Sequence, residues 1–285
     1  MISIVGIGTG ASAIANKFRD VTQYDVYELS DKFARSSKRK HKLKKFETPE
    51  EYEKNVPNLK EFFKDLRETV QVFIVGTSYS SNYSLGILEQ MKDKKLEVFY
   101  IKPDVDLVNG ERRLVENVVF GVLQEYARSG LFESITVFSN LEIERTLGDV
   151  PIKTYYDTLN SAIFSAVHYL NYFTHAEPEI GQVAKPAEIN RIRTMAILNT
   201  KNLHENWLFQ LDNERELCYY ICVNEERIAS EGSLHRKLVN ILKDKSTNAF
   251  RKISYAIYET PHKDFGYVVA HTNTIQQQKT LDKVD

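Results

Sequence analysis

Cysteine is scarce in this chain of 285 residues: Cys218 and Cys222 are the only two. A single pair cannot build the disulfide framework of a small secreted domain, which points to a reducing compartment. Glycine (12) and proline (7) are also few, which predicts short connections rather than long structureless loops. No apolar run approaches the ~18 residues of a membrane-spanning helix, and the longest candidate, Ala162 to Phe173, is interrupted by Ser165, His168 and Asn171. Neither sign of charge is in excess. Lys and Arg (38) nearly cancel Asp and Glu (39), which excludes a chain-wide basic nucleic-acid binder and an acidic disordered chain. The opening MISIVGIG has no basic leader, the seven His show no ligand spacing, and no internal repeat is visible. These absences predict a soluble cytoplasmic protein with no membrane span and no metal site.

What is present is a layered grammar. Hydrophobic residues make up 42% and charged residues 27%, enough apolar surface for a sizeable core. Ile2, Ile4 and Val5 form the short apolar run of a doubly covered parallel strand, followed by Gly6, Gly8 and Gly10 and a helix over Ala11–Phe18. Strand, glycine turn, helix is a phosphate-binding layout, because glycine lets the backbone approach a ligand and the helix start offers unpaired N–H groups. Strands are predicted at Tyr24–Leu29, Val70–Val75, Leu96–Ile101 and Ser134–Phe138. Helices are predicted at Leu59–Thr69, up to about Met91, at Glu111–Ser129 and at Lys153–Phe173, the longest. Such alternation predicts a mostly parallel sheet with helices on both faces.

From about Arg193 the pattern changes to four strands (Thr194–Leu198, Glu216–Val223, Arg251–Tyr258, Gly266–His271) with a helix near Leu234–Leu242. The expected organisation is a nucleotide-type domain over 1–150, a long central helix and loop over 151–190, a smaller α+β domain over 191–275 and a polar tail over 276–285. Cys218 and Cys222 share a face of one strand, and core packing is the plain reading for them, as it is for His168, Trp207, Tyr219 and Tyr220.

Taken alone, Gly6-x-Gly8-x-x-Ala11 with Glu28 twenty residues after Gly8 fits a dinucleotide fingerprint, with Glu28 on a ribose hydroxyl. That reading implies an NAD(P)-type oxidoreductase, but no hydride-transfer site is recognisable downstream. Several segments together point elsewhere. GIGTGASAIANKF resembles the opening of the FtsZ/tubulin superfamily, in FtsZ typically GVGGGG, two residues, then AVNRM. Val108 to Arg113 (VNGERR) is similar to its FEGxxR, and ITVFSN with Leu141 to its IVIPN-x-x-L. Tyr156-x-x-Leu159-Asn160 matches the F-x-x-A-N that opens the family's central helix. Arg193-Thr194-Met195 is similar to the RTVM after its synergy loop, and ISYAIYETPHKDFGYVVAHTNT resembles the last two strands of its second domain. The order and approximate spacing hold from Gly6 to Thr274.

The resemblance implies a cytoskeletal GTP-binding protein stacking head to tail into a homopolymeric filament, with magnesium accompanying the nucleotide only as a triphosphate. It places Gly6, Gly8, Gly10 and Ser12 along the first turn, Gly76, Thr77 and Ser78 in the phosphate loop, and Arg113 toward the phosphates. Asn109 would face the ribose, Asn140 and Asn160 the guanine or its sugar, and Tyr156 would stack on the ring. Amides suit a purine edge and an aromatic face suits stacking. Outside the resemblance, Tyr156 reads equally as core, Asn140 as a strand terminator and Asn160 as helix surface. The chain's length fits a compact phage or plasmid relative.

Two departures matter. The family's GGGTGTG loop is replaced by Gly76-Thr77-Ser78-Tyr79-Ser80-Ser81-Asn82-Tyr83, with one glycine. Hydroxyls are available as donors, but non-glycine residues resist positive φ and two tyrosines take space, so phosphate binding is weakened, altered or lost. The family's acidic pattern NxDFAD before VRT also fails: its final Asp falls on Arg191, which leaves Glu188 as the candidate acid. Slow or absent hydrolysis follows, because a cation cannot accept a proton from water. A non-polymerising pseudo-GTPase that serves as a binding module is the second reading and the oxidoreductase the third. Finally, Arg35–Lys45 lies in a run with seven cations and no acid. It reads either as a solvated loop balanced by Glu47, Glu50 and Glu51 or as a site for an anionic partner, a nucleic acid or the phosphates themselves.

Overall fold

The computed structural model describes residues 1–104, 110–246 and 251–277. The chain divides into two compact units, residues 1–135 with the segment from Thr274 onward, and residues 136–273. The division falls inside a strand.

The first unit contains β1 (Ile2–Ile7), α1 (Thr9–Asn16), β2 (Tyr24–Ser30), β3 (Lys40–Lys42), α2 (Pro49–Lys54), β4 (Thr69–Val75), α3 (Ser84–Glu89), β5 (Lys95–Lys102) and α4 (Gly110–Arg128). Its strands lie in the order β3-β2-β1-β4-β5, every pair parallel. β1, β2 and β4 are buried on both faces, so their apolar residues do not alternate with exposed ones, and the acids Asp25 and Glu28 of β2 are buried with them. Phe73 stacks on Phe99 of the neighbouring strand and meets Phe18 beneath α1. The helix expected over Leu59–Thr69 does not form. That stretch is a run of turns that still buries Leu59, Phe63 and Leu66, with the Leu59 amide held by the Gln90 side chain. Apolar residues at helical spacing need only one turn each to reach the core, and β4 already begins at Thr69. Gln276, at the start of the expected polar tail, is buried, and its backbone exchanges two hydrogen bonds with the Gln124 amide.

β6 (Ser134–Ser139) carries the division between units. The second unit continues with α5 (Asn140–Leu147), α6 (Tyr155–Phe173), β7 (Ile180–Gln182), β8 (Ile192–Asn199), β9 (His204–Trp207) and β10 (Glu216–Asn224). It ends with α7 (Glu225–Ser230), α8 (Leu234–Lys245), β11 (Lys252–Thr260) and β12 (Phe265–Thr272). The order β8-β12-β10-β11-β7 is antiparallel except for β10–β11, with β9 added to β8. Leu234, Leu238 and Leu242, four apart on α8, close one face of this sheet over Leu217, Tyr219, Ile221 and Val223. On α6, Phe173 stacks on Tyr220, and Tyr267 donates or accepts one hydrogen bond with Ser165. Cys218 and Cys222 are buried thiols, and burial pushes Cys222 up to about 12. Among the described residues no helix is long and apolar enough to cross a membrane, and no group of three His, Cys, Asp or Glu is placed to hold a metal ion.

Candidate functional site

In the first unit the strand order reverses at β1: the chain steps outward to β2 and β3 on one side, then returns to β4 and β5 on the other. The crevice beyond the C-terminal ends of β1 and β4 is where a parallel sheet of this kind binds ligands. Both turns singled out in the sequence open into it. Gly8 caps α1 with φ 96°, a conformation that glycine adopts without strain, and its amide donates to the Leu29 carbonyl. A Cβ on Gly8 would stand 3.1 Å from Ser80 Cβ and 3.3 Å from Ser78 Oγ, so the two turns lie against one another. Gly10 faces Val75. Ser12 is buried and its hydroxyl is directed to the Gly6 and Leu29 carbonyls, which makes it a tie between α1, β1 and β2 rather than a surface donor.

The second turn explains how a loop with one glycine still closes. Gly76 is packed beneath the Tyr100 hydroxyl, 2.6 Å from the position of an added Cβ. Thr77 takes φ 60° in its place, and the chain then enters a 3-10 turn over Tyr79–Tyr83. The hydroxyls expected as phosphate donors are partly committed: Ser78 Oγ accepts from the Ser81 amide, and Ser81 Oγ donates to the Ser78 carbonyl at 2.6 Å. Of the two tyrosines, Tyr83 is buried and donates to the Lys44 carbonyl, whereas Tyr79 projects outward. A β-branched residue at positive φ costs on the order of 1 kcal/mol. Thr77→Asn, which tolerates this conformation, is therefore expected to raise stability by roughly 0.5–1 kcal/mol in urea unfolding. An unchanged midpoint would show that Thr77 is not strained.

A cavity of about 240 Å³ opens beside this loop, lined by Glu47, Thr77, Ser78, Tyr79, Asn82 and Arg112 among others. Lys45 Nζ lies 4.1 Å and Arg112 Cζ 4.6 Å from the centre of the Tyr79 ring, and the Arg112 guanidinium also donates to the Tyr79 hydroxyl. Arg113, the residue marked by the sequence pattern, is half-buried and acts on Glu116, while its neighbour Arg112 lines the cavity. The motif locates the helix start, but successive residues differ by about 100° in direction, so a pattern cannot say which arginine faces the crevice. Glu116, which the sequence reading missed, is buried at the cavity wall and accepts from Tyr100 at 3.1 Å. Burial raises its carboxyl above the ordinary range against the pull of Lys102, Tyr100 and Arg113. Asn109 lies outside the described residues.

Three of the seven cations in the basic run pair with acids other than Glu47, Glu50 and Glu51. Lys38 pairs with Asp65, Arg39 with Asp25 and Lys40 with Glu28. Glu51 instead closes the capping box of α2 with Thr48. Asp25 is partly desolvated, yet hydrogen bonds from Arg67 and Arg39 hold its carboxyl below the usual value. Glu28, the ribose ligand of the oxidoreductase reading, is buried and ion-paired with Arg19 as well as Lys40, so its carboxylate is already engaged.

In the second unit, the Ser139 hydroxyl caps α5 and half-buried Asn140 is the first residue of that helix. Tyr155 and Tyr156 open α6. Tyr155 donates to Glu144, but Tyr156 is 70% exposed, which removes the core reading for it. Asn160 follows one turn later on the same face. Glu188 is exposed on the loop before β8, and Glu216 anchors that loop by accepting from the Ala187 amide and the Asn190 side chain.

A parallel unit with two turns meeting at its order reversal, a 19-residue helix and a mixed second unit together define the tubulin/FtsZ class of fold. No protein-family model matches the sequence, and no curated protein matches it. Among solved structures, the chain is similar to an empty FtsZ dimer of M. jannaschii (TM-score 0.70, 11% identity, 98% of this chain and 92% of that one). It is similar to TubZ of Bacillus thuringiensis serovar israelensis in GDP-form protofilaments (0.70, 9%, 97% and 85%). It is also similar to CetZ2 of Haloferax volcanii in a GTPγS-bound protofilament (0.64, 13%, 98% and 95%). At such identities the likeness establishes the fold.

Proposed function

We propose that the chain is a guanine-nucleotide-binding protein of the tubulin/FtsZ type that assembles head to tail with its own copies and hydrolyses nucleotide slowly or not at all. The observation that carries this reading is the meeting of the Gly8 turn and the Thr77–Ser80 turn at the order reversal of a parallel sheet. The first unit offers a glycine at positive φ, a helix start and a nearby arginine, a set that fits phosphates. For the second unit, the exposed Tyr156 and its helix neighbour Asn160 suit a purine face and edge, with Asn140 alongside them in the reading taken from the family pattern. Magnesium would arrive with a triphosphate. Filament partners of the similar TubZ and CetZ2 structures are copies of themselves, and self-association is carried over on that basis.

Glu188 stands without a second acid, since Arg191 occupies the other position. Expected results are guanine nucleotide released from the purified protein on denaturation, sedimentable polymer on adding GTP, and turnover below roughly one per minute. A nicotinamide cofactor in the released fraction would overturn the assignment. Bound guanine nucleotide with no polymer at any concentration would reduce the protein to the pseudo-GTPase module.

A further inference from the structure

Three of the seven cations in the basic run, Lys38, Arg39 and Lys40, are paired with the protein's own acids, and Lys45 is not. Among the described residues it has no carboxylate partner, and its ammonium rests on the Tyr79 ring instead. Arg112 comes from a different element, α4, to the same ring. Two cations held on one ring repel each other. Each cation–π contact offsets only about 0.5–1 kcal/mol of such a cost at an exposed site. Tyr79 is 39% exposed and lines the cavity that Thr77, Ser78, Asn82 and Arg112 share, so the pair borders a space open to a ligand. A group with two or more negative charges is attracted to both cations at once. The cavity wall also carries Glu47 and Glu116. Burial favours the neutral form of Glu116, which lessens its repulsion of an anion.

We propose that Lys45 and Arg112, gathered on Tyr79, bind the phosphoryl end of the nucleotide, replacing with side-chain charge the backbone N–H nest that a glycine-rich loop would supply. This rests on the nucleotide reading above and names residues for it that the family pattern does not mark. It also gives the substitution of Tyr79 into a glycine loop a purpose: the ring is the platform that brings both cations to one place. Because side-chain charge is not specific to three phosphates in the way a fitted loop is, a diphosphate is expected to bind as well as a triphosphate.

The test is calorimetric titration of the full chain with GDP, guanosine and inorganic pyrophosphate at fixed ionic strength, for the wild type and for Lys45→Gln, Arg112→Gln and Tyr79→Leu. Urea midpoints confirm that each variant is folded. The wild type is expected to bind GDP about 100-fold tighter than guanosine, and each charge removal to weaken GDP about tenfold while leaving guanosine unchanged. Tyr79→Leu should fall in the same direction by about threefold, since it disperses the cations without removing them. GDP affinities equal to wild type in both charge variants would overturn the clamp and leave the nucleotide reading standing. If the wild type binds neither GDP nor guanosine, the nucleotide reading fails. In that case, pyrophosphate binding lost in the same two variants would still support the clamp, and absent pyrophosphate binding would overturn it too.

Discussion

Gly6→Ala is expected to cost about 3 kcal/mol or more, a large share of the ~5–15 kcal/mol that holds a typical domain together. The added Cβ would stand 2.6 Å from the Ala11 carbonyl oxygen and 2.8 Å from Ser12 Cα. Both are backbone atoms of α1, so no side-chain rotation relieves the contact: the helix must lift from β1, and the buried Ile14 and Ala15 lift with it. Loss of α1 packing also moves the Gly8 turn, because the Ser12 amide donates to the Gly8 carbonyl and the Ser12 hydroxyl ties the helix to both strands. Ligand binding and stability should therefore fall together. Gly121→Ala in α4 is the matched control, with open space around the new methyl and a helix interior that favours alanine. It should gain roughly 0.5–1 kcal/mol. Urea unfolding of the three proteins decides the matter, and a Gly6→Ala midpoint equal to wild type would mean that α1 does not sit on β1 as described.

Acid should unfold the second unit early, through His271. This residue lies buried in β12 opposite Arg193 of β8. Burial, and then the neighbouring guanidinium, depress its pKa to about 3, against the opposing effect of a hydrogen bond with the Asn190 backbone. The folded protein thus keeps a neutral ring where the unfolded chain takes up a proton below pH ~6.5. Protons bind the unfolded state in excess between those two values, so this contribution is complete above pH ~6.5 and is lost as pH falls toward 3. At pH 5 the loss is about 2 kcal/mol. His41 and His168 are likewise depressed by burial and act in the same direction. His271→Asn keeps a donor but cannot titrate. Its urea midpoint should change less between pH 7 and pH 5 than the wild type's, and parallel pH profiles would rule out His271 as the source.

The elements that were legible before folding are those whose burial is local in pattern. β1, β4, α6 and α8 carry their apolar spacing within a few residues, and the glycine turn after β1 follows from the need for a left-handed residue at Gly8. The misses share a different cause. β7 and β9 are three and four residues long, too short for any period to register, and each exists because a longer strand lies beside it. Leu59 to Leu66 had the right spacing for a helix but is drawn into turns by packing and by Gln90, thirty-one positions away. Tyr155 and Tyr156 are adjacent and alike in sequence, but successive helix residues point about 100° apart, so one meets Glu144 and the other is exposed.

The candidate site shows the same division. Residue types alone marked a glycine-rich turn after β1 and a turn with a single glycine after β4, because glycine content is a property of single positions. Tertiary structure decided where the surplus of positive charge went. Lys38, Arg39 and Lys40 found Asp65, Asp25 and Glu28, whereas Lys45 rests on the Tyr79 ring that Arg112 reaches from α4. Pairing of that kind depends on distances between elements far apart in the chain, and charge acts through space rather than along the sequence.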